Sequence, residues 1–177
     1  MFPVEEIHRD RAFLIEAAMG PEADVVLARL ARGCRCYAVV VEGAIAGYGW
    51  LSSGPEWISE LQLEIRPRKG EGYIWNCATL PDHRRRGVFR SLVAGISTAA
   101  RNIGITRLWI GTLAIPGESA VPQSGFRPAL TFASWTWAGI AFARHVSNVD
   151  PVLGRDGLRV ISTSRGWHFG TVTRRRH

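Results

Sequence analysis

Arg84, Arg85, Arg86 and Arg90 surround a single glycine, Gly87, at the point where an apolar run gives way to a helical one. That combination suits the binding of phosphate. Upstream, Gly72 to Thr79 reads as a strand that Leu80-Pro81 brings to an end. Downstream, apolar residues recur at Val88/Phe89, Leu92/Val93, Ile96, Ala99/Ala100 and Ile103, which predicts a helix with a 3.6-residue period. The first turn of a helix presents backbone N–H groups with no partner inside it, and its dipole favours anions. A pyrophosphate is therefore the natural guest, with guanidinium charge around it and Gly87 letting the backbone come close.

Other elements must position that turn. Val4 to Ala18 and Pro21 to Ala31 read as two helices broken at Gly20-Pro21. Tyr37 to Val41 and Ala44 to Leu51 read as strands joined by a tight turn at Glu42-Gly43. Trp57 to Ile65 alternates, with Trp57, Ser59, Leu61, Leu63 and Ile65 on one face and Ile58, Glu60, Gln62 and Glu64 on the other. It predicts one half-buried strand beside the central one. Residues 67–72 form a turn, and Ile105 to Leu113 is a strand after a Gly104 stop. Phe126 to Ala138 reads as the last long core strand. Beyond Gly139 only Leu158 to Ser162 and Trp167 to Val172 have strand-like patterning, and no internal repeat is present.

The run Arg84-Arg85-Arg86-Gly87-Val88-Phe89 resembles the Arg/Gln-x-x-Gly-x-Gly/Ala signature of the GNAT superfamily of acyl-CoA-dependent N-acyltransferases. The order of elements is similar too, and Gly125-Phe126 resembles the Gly-Phe that closes the family's last helix. Residues 35 to 138 carry the resemblance. It implies an α/β (α+β) fold with a mixed, mostly antiparallel sheet flanked by helices over residues 1–138, and an extension, 139–177, that completes the same domain or contacts a partner. It also implies acetyl-CoA or another acyl-CoA as co-substrate, without a metal. The coenzyme pyrophosphate would lie on Arg84, Arg85, Arg86, Gly87, Val88, Phe89 and Arg90. The backbone groups of Cys77 and Thr79 would pair with the pantetheine arm as if it were an added strand, while their side chains pack in the core. Three positions depart from the family: Phe89 stands where Gly or Ala is usual, Val121 where a tyrosine acid is frequent, and Ala114 where asparagine is frequent.

An amine acceptor must lose a proton before it attacks, since its pKa near 10 leaves it charged at neutral pH. Glu60 is the candidate base, with Glu64 and Asn76 behind it; a solvated strand face is the plainer reading of each. No tyrosine can act from the segment around Val121, because the tyrosines are Tyr37, Tyr48 and Tyr73. Glu118 or a water would protonate the departing sulphur, or the thiolate would leave unaided. Pro116 and Pro122 predict that this segment is short or irregular as a helix. The expected activity is transfer of an acyl group, acetyl by default, from acyl-CoA to a small-molecule or peptide amine. The alternatives are a degenerate module that binds acyl-CoA without chemistry, and an aminoacyl-tRNA acetyltransferase like some bacterial toxins of the family. Most of those toxins keep the tyrosine absent here.

Composition fits this reading. A chain of 177 residues with 46% apolar content is long enough for one buried core. Three cysteines, Cys34, Cys36 and Cys77, argue against a disulfide framework, and with no charged-then-apolar leader in view the expected compartment is the cytoplasm. The longest nearly uncharged stretch, Ala129 to Ala143, is shorter than the roughly 20 residues a membrane helix needs, so no membrane partner is expected. Net charge is +7, and Lys69 is the only lysine. The coenzyme accounts for the cluster at 84–90. Arg155, Arg159, Arg165, Arg174, Arg175 and Arg176 would suit a nucleic acid or an acidic protein, though a solvated tail explains the last three as well. A nucleic-acid partner is not favoured, and a homodimer is left open.

Overall fold

The structure, a computed structural model, describes residues 1–58, 63–112, 121–137, 140–147 and 150–162. Along the chain run β1 (Glu5–Ile7), α1 (Ala12–Met19), α2 (Val26–Ala31), β2 (Arg35–Val41), β3 (Ala44–Ser52), β4 (Glu56–Ile58) and β5 (Leu63–Ile65). They are followed by β6 (Glu71–Thr79), α3 (Val88–Asn102), β7 (Arg107–Ile110), β8 (Leu130–Trp137), β9 (Ile140–Ser147), α4 (Pro151–Val160) and β10 (Ile161–Ser162). Contacts gather them into two units, Met1–Gly54 with Pro67–Phe126, and Pro55–Arg66 with Arg127–His177. Residues 127–138 thus group with the C-terminal segment.

The first unit is a five-stranded sheet in the order β1-β2-β3-β6-β7. Every neighbouring pair is antiparallel except β6 and β7, which run parallel. This is the mixed, mostly antiparallel sheet expected from the sequence. The β2–β3 hairpin turns at Glu42 and Gly43, both with positive φ (52° and 80°), as the tight turn requires. Helix α3 lays Val88, Leu92, Ile96 and Ala100, one residue per turn, against Tyr37, Val39, Ala46, Leu51 and Ile74 of the sheet. Leu92 and Ile96 are fully enclosed, and each burial stabilises the fold by about 2 kcal/mol. Gly104, with φ 84°, ends the helix as its sequence predicts, and Ile105 N–H returns to the Ala100 carbonyl at 3.0 Å. Phe126 packs on the same core behind Gly125, whose φ is 90°.

Three expectations are corrected here. The predicted helix from Val4 opens instead with β1, which pairs Glu6 with Tyr37 and Ile7 with Cys36. Across that pair the Glu6 carboxylate accepts from Arg35 at 3.3 Å and from the Tyr37 hydroxyl at 3.3 Å. Tertiary pairing thus outweighs a helical spacing carried by few residues. The single strand predicted over Trp57 to Ile65 is two strands, β4 and β5, paired antiparallel in a separate sheet of order β10-β5-β4. Trp57 is exposed and Ile65 buried, so the two do not share one face. The strand expected from Phe126 to Ala138 runs over Leu130–Trp137 and pairs with β9 rather than with the five-stranded sheet.

The sequence reading also missed α4. Its marks were present: Asp150 caps the helix, accepting from Val152 N–H at 2.9 Å and Leu153 N–H at 3.0 Å, and Pro151 follows at the first helical position. Of the strand predicted over 158–162, only Ile161–Ser162 is extended. The piece predicted at 167–172 and the arginines at 165 and 174–176 lie outside the described residues.

Candidate functional site

The site is built where β6 outruns its neighbour. On one side β6 pairs with β3 from Tyr73 opposite Ser52 to Thr79 opposite Gly47. On the other, pairing with β7 stops at Ile74 opposite Ile110. From Trp75 to Thr79 the outer edge of β6 has no strand partner among the described residues. The β3–β6 register slips once: Tyr48 faces Ala78 and Trp50 faces Trp75, so Gly49 stands opposite both Asn76 and Cys77. This is a β-bulge, and Asn76 sits in it with φ 43°. Leu80 N–H donates to the Ala46 carbonyl at 2.9 Å, toward β3. Strand alternation then turns the backbone groups of Thr79, and of Cys77 two residues earlier, to the outer edge. The Thr79 carbonyl accepts from Arg84 Nε at 3.4 Å, in keeping with that direction.

After β6 the chain makes a 3-10 turn over Pro81–His83, is extended at Arg84, and enters α3 through Gly87. Gly87 has φ 82°, which a side chain with a Cβ adopts only under strain, and a Cβ built there meets nothing within 4 Å. Arg85 is also left-handed, with φ 60°. The first helical hydrogen bond runs from Ser91 N–H to the Gly87 carbonyl at 3.0 Å. The amides of Val88, Phe89 and Arg90 therefore have no acceptor within the helix, and no side chain caps them. Arg84, Arg85, Arg86 and Arg90 are exposed around this turn, Val88 is buried and Phe89 half-buried. The arrangement offers an anion three amide donors, one helix end and four guanidinium groups.

Two glycines that the sequence reading did not single out bring α3 close to β6. A Cβ on Gly47 would lie 2.7 Å from Val88 Cγ1 and 2.9 Å from the Ala78 carbonyl oxygen. A Cβ on Gly49 would lie 2.7 Å from Cys77 Sγ and 3.2 Å from Ile96 Cδ1. Their spacing of two within a strand was the signal, since it puts both on one face where another element approaches. Cys77 Sγ is enclosed in this layer, where it donates to the Trp75 carbonyl at 3.6 Å, and burial pushes its pKa up to about 12. Its side chain is packing, and only its backbone reaches the outer edge. Thr79 Oγ1, by contrast, is buried with no hydrogen-bond partner. A buried hydroxyl left so is costly.

On the opposite face of the sheet the bulge presents two consecutive side chains, Trp75 and Asn76, to Arg29 of α2. The Arg29 guanidinium lies 5.2 Å from the Trp50 ring centroid and 4.5 Å from that of Trp75. Its Nη1 donates to Asn76 Oδ1 at 3.0 Å, and its Nη2 is 3.8 Å from Glu22 Oε2. Asn76 Nδ2 donates to the same Glu22 oxygen at 3.4 Å. Tyr48, beside this cluster, has its hydroxyl pKa raised, first by burial and then by the Glu22 charge.

The expected chemistry fares unevenly. Asn76 is excluded as a base, because its amide is spent on Arg29 and Glu22 and carries no basic lone pair. The Glu64 carboxylate is paired with Arg66, and its strand β5 lies between β4 and β10. Glu60 lies outside the described residues, between β4 and β5, which pair with each other in the sheet of order β10-β5-β4. Glu118 and Ala114 also lie outside the described residues. Val121 precedes a 3-10 turn over Pro122–Ser124, and the segment before it, 113–120, lies outside the described residues.

The Acetyltransferase (GNAT) family model matches residues 4–121. No curated protein sequence matches the chain. Among solved structures, the aminoglycoside N-acetyltransferase AAC(6')-Iy in complex with CoA is similar with a TM-score of 0.55 and 15% identity, over 71% of this chain and 91% of that one. Ribosomal-protein-alanine N-acetyltransferase from Brucella melitensis biovar Abortus 2308 gives 0.54 and 16%, over 78% and 96%. An acetyltransferase from Trypanosoma brucei gives 0.53 and 14%, over 71% and 92%. At these identities the likeness is one of fold.

Proposed function

The chain belongs to the GNAT acetyltransferase family, and from that membership we propose that it transfers an acyl group, acetyl by default, from acyl-CoA to an amine. One observation carries the reading: β6 continues from Trp75 to Thr79 past its last pair with β7 and is followed, after the turn at Pro81–His83, by a helix whose first amides are uncapped. The amides of Val88, Phe89 and Arg90, with Arg84, Arg85, Arg86 and Arg90 around them and Gly87 allowing close approach, would hold the pyrophosphate. The outward backbone groups of Cys77 and Thr79 would pair with the amides of the pantetheine arm. Acyl-CoA itself supplies the thioester that an unprotonated amine attacks, and the thiolate leaves. One structural relative is named for an aminoglycoside and another for ribosomal-protein alanine, so the fold they share is compatible with a small-molecule or a peptide amine.

A second reading, a module that binds acyl-CoA without chemistry, is favoured by one residue: Val121, where the family often has tyrosine. Incubation with acetyl-CoA and a panel of aminoglycosides, polyamines and alanine-terminated peptides, with release of free thiol as the readout, separates the two. Calorimetry with coenzyme A runs beside it. Binding with thiol release supports transfer, binding alone supports the module, and no binding at millimolar coenzyme A overturns both.

A further inference from the structure

Arg29 is a buried arginine, and nothing in the coenzyme cradle explains it. A guanidinium removed from water must be compensated. Here two indole faces, the Asn76 amide oxygen and the Glu22 carboxylate do so. The residue it bonds most directly is Asn76, whose φ of 43° puts it in the left-handed region that side chains rarely adopt. Asparagine tolerates that region better than most residues, yet it needs a reason to stay there. Its side chain is fixed at both ends, the oxygen by Arg29 and the nitrogen by Glu22.

The bulge at Asn76 decides which way the rest of β6 faces. If pairing continued regularly from Trp75 opposite Trp50, Cys77 would stand opposite Tyr48, and the backbone groups of Cys77 and Thr79 would turn inward to β3. With the bulge, Ala78 stands opposite Tyr48, and those groups turn outward. We propose that Arg29 is a positioning residue for the coenzyme: by holding Asn76 in its left-handed conformation it maintains the bulge that aims Cys77 and Thr79 at the pantetheine arm. The inference rests on the proposal that acyl-CoA binds along this edge. Arg29 acts through Asn76 and touches no reacting atom, so its loss should weaken coenzyme binding without altering the chemical step. Glu22 serves as the second hold on the Asn76 amide.

The test is a double-substitution cycle read by calorimetry with coenzyme A on the full chain, with thermal unfolding recorded for each variant. Arg29→Met keeps the apolar packing on the indoles and removes the polar contacts to Asn76 and Glu22. It is expected to weaken coenzyme A binding about tenfold. Asn76→Gly lets the bulge form without a clamp, because glycine accepts positive φ without steric cost. In the Asn76→Gly background, Arg29→Met should therefore change affinity by less than about twofold. Where the wild type turns over, KM for acetyl-CoA should rise in Arg29→Met while kcat at saturation stays within about twofold. Equal losses in the two backgrounds, or wild-type affinity in a folded Arg29→Met protein, would overturn the proposal while leaving the coenzyme site intact. Should Arg29→Met fail to fold, Arg29→Lys, which keeps the cation near the indoles but cannot reach Asn76 and Glu22 with two separate N–H groups, enters the same cycle with an expected loss of about threefold, again relieved by Asn76→Gly. Absence of coenzyme A binding by the wild type overturns both this inference and the functional proposal beneath it.

Discussion

On the α3 face of β3 and β6, Gly47 and Gly49 leave room for Val88, Leu92, Ile96 and the thiol of Cys77, all in close contact. On the α2 face the same two strands hold a guanidinium between two indoles, tied to a carboxamide and a carboxylate. The first face is limited by volume. The second is limited by hydrogen-bond direction, since a charge withdrawn from water is tolerable only where its partners stand in place. Both act on one strand: the apolar face sets how near the helix end lies to β6, and the polar face holds the bulge in it.

If volume limits the α3 face, Gly49→Val should be the most damaging single change, costing about 3 kcal/mol in denaturant unfolding, because even its Cβ would overlap the thiol of Cys77. A loss below about 1 kcal/mol would mean that α3 is loosely seated and that the contrast between the faces fails.

Gly87 belongs to neither face, and its replacement isolates the cradle. Gly87→Val should weaken coenzyme A binding by one to two orders of magnitude, about 1–3 kcal/mol, by straining the φ of 82° and crowding the phosphate approach. The fold should persist, since a Cβ there meets nothing within 4 Å. Unchanged affinity in a folded variant would move the pyrophosphate elsewhere.

A smaller and opposite effect is expected at Thr79. Thr79→Val removes a buried hydroxyl that has no partner among the described residues, so the unliganded protein should gain about 1 kcal/mol in denaturant unfolding while coenzyme A affinity, which only the Thr79 backbone serves, stays within about twofold. A loss of stability would show that the hydroxyl has a partner in the fold.

The effect that vanishes at neutral pH is a pH dependence. Burial raises the Cys77 pKa from 9.0 to about 12, so the folded state holds this proton more tightly than the unfolded chain does. The stability it contributes is fully present below pH 9.0 and is lost as pH rises toward about 12. Cys36, raised in the same direction by burial, adds to the trend. Unfolding midpoints across that window should fall more gently in Cys77→Ala than in the wild type, and thiol reagents near pH 8 should leave Cys77 unlabelled until the protein unfolds. Labelling at the rate of a free thiol would show that the α3 face is open.

Much of the cradle was legible because it is local. The strand, the proline turn, Gly87 and the stripe through Val88, Leu92, Ile96 and Ala100 follow one another in sequence, and each carries a short-range mark. Trp57 to Ile65 misled for the converse reason: alternation does not say whether a segment is one strand or two, nor which sheet it joins. Glu60 was placed beside the central strand by that reading alone. Arg29 and Glu22 carried no mark, because an arginine and a glutamate on a short helical segment read as solvent-facing until the indoles of distant strands close over one of them.

The sequence by itself determined a helix start rich in donors and positive charge after an apolar strand, the hairpin at Glu42-Gly43 and the apolar stripe that seats α3, since neighbouring residues and their periods decide these. Only the tertiary structure decided that β7 stops at Ile110 and leaves the end of β6 without a strand partner among the described residues, that Glu5 to Ile7 joins the sheet rather than a helix, and that Arg29 reaches Asn76 across 47 positions of chain. These depend on which distant segments share a surface, and the balance of burial and hydrogen bonding that chooses among them is struck by the whole fold.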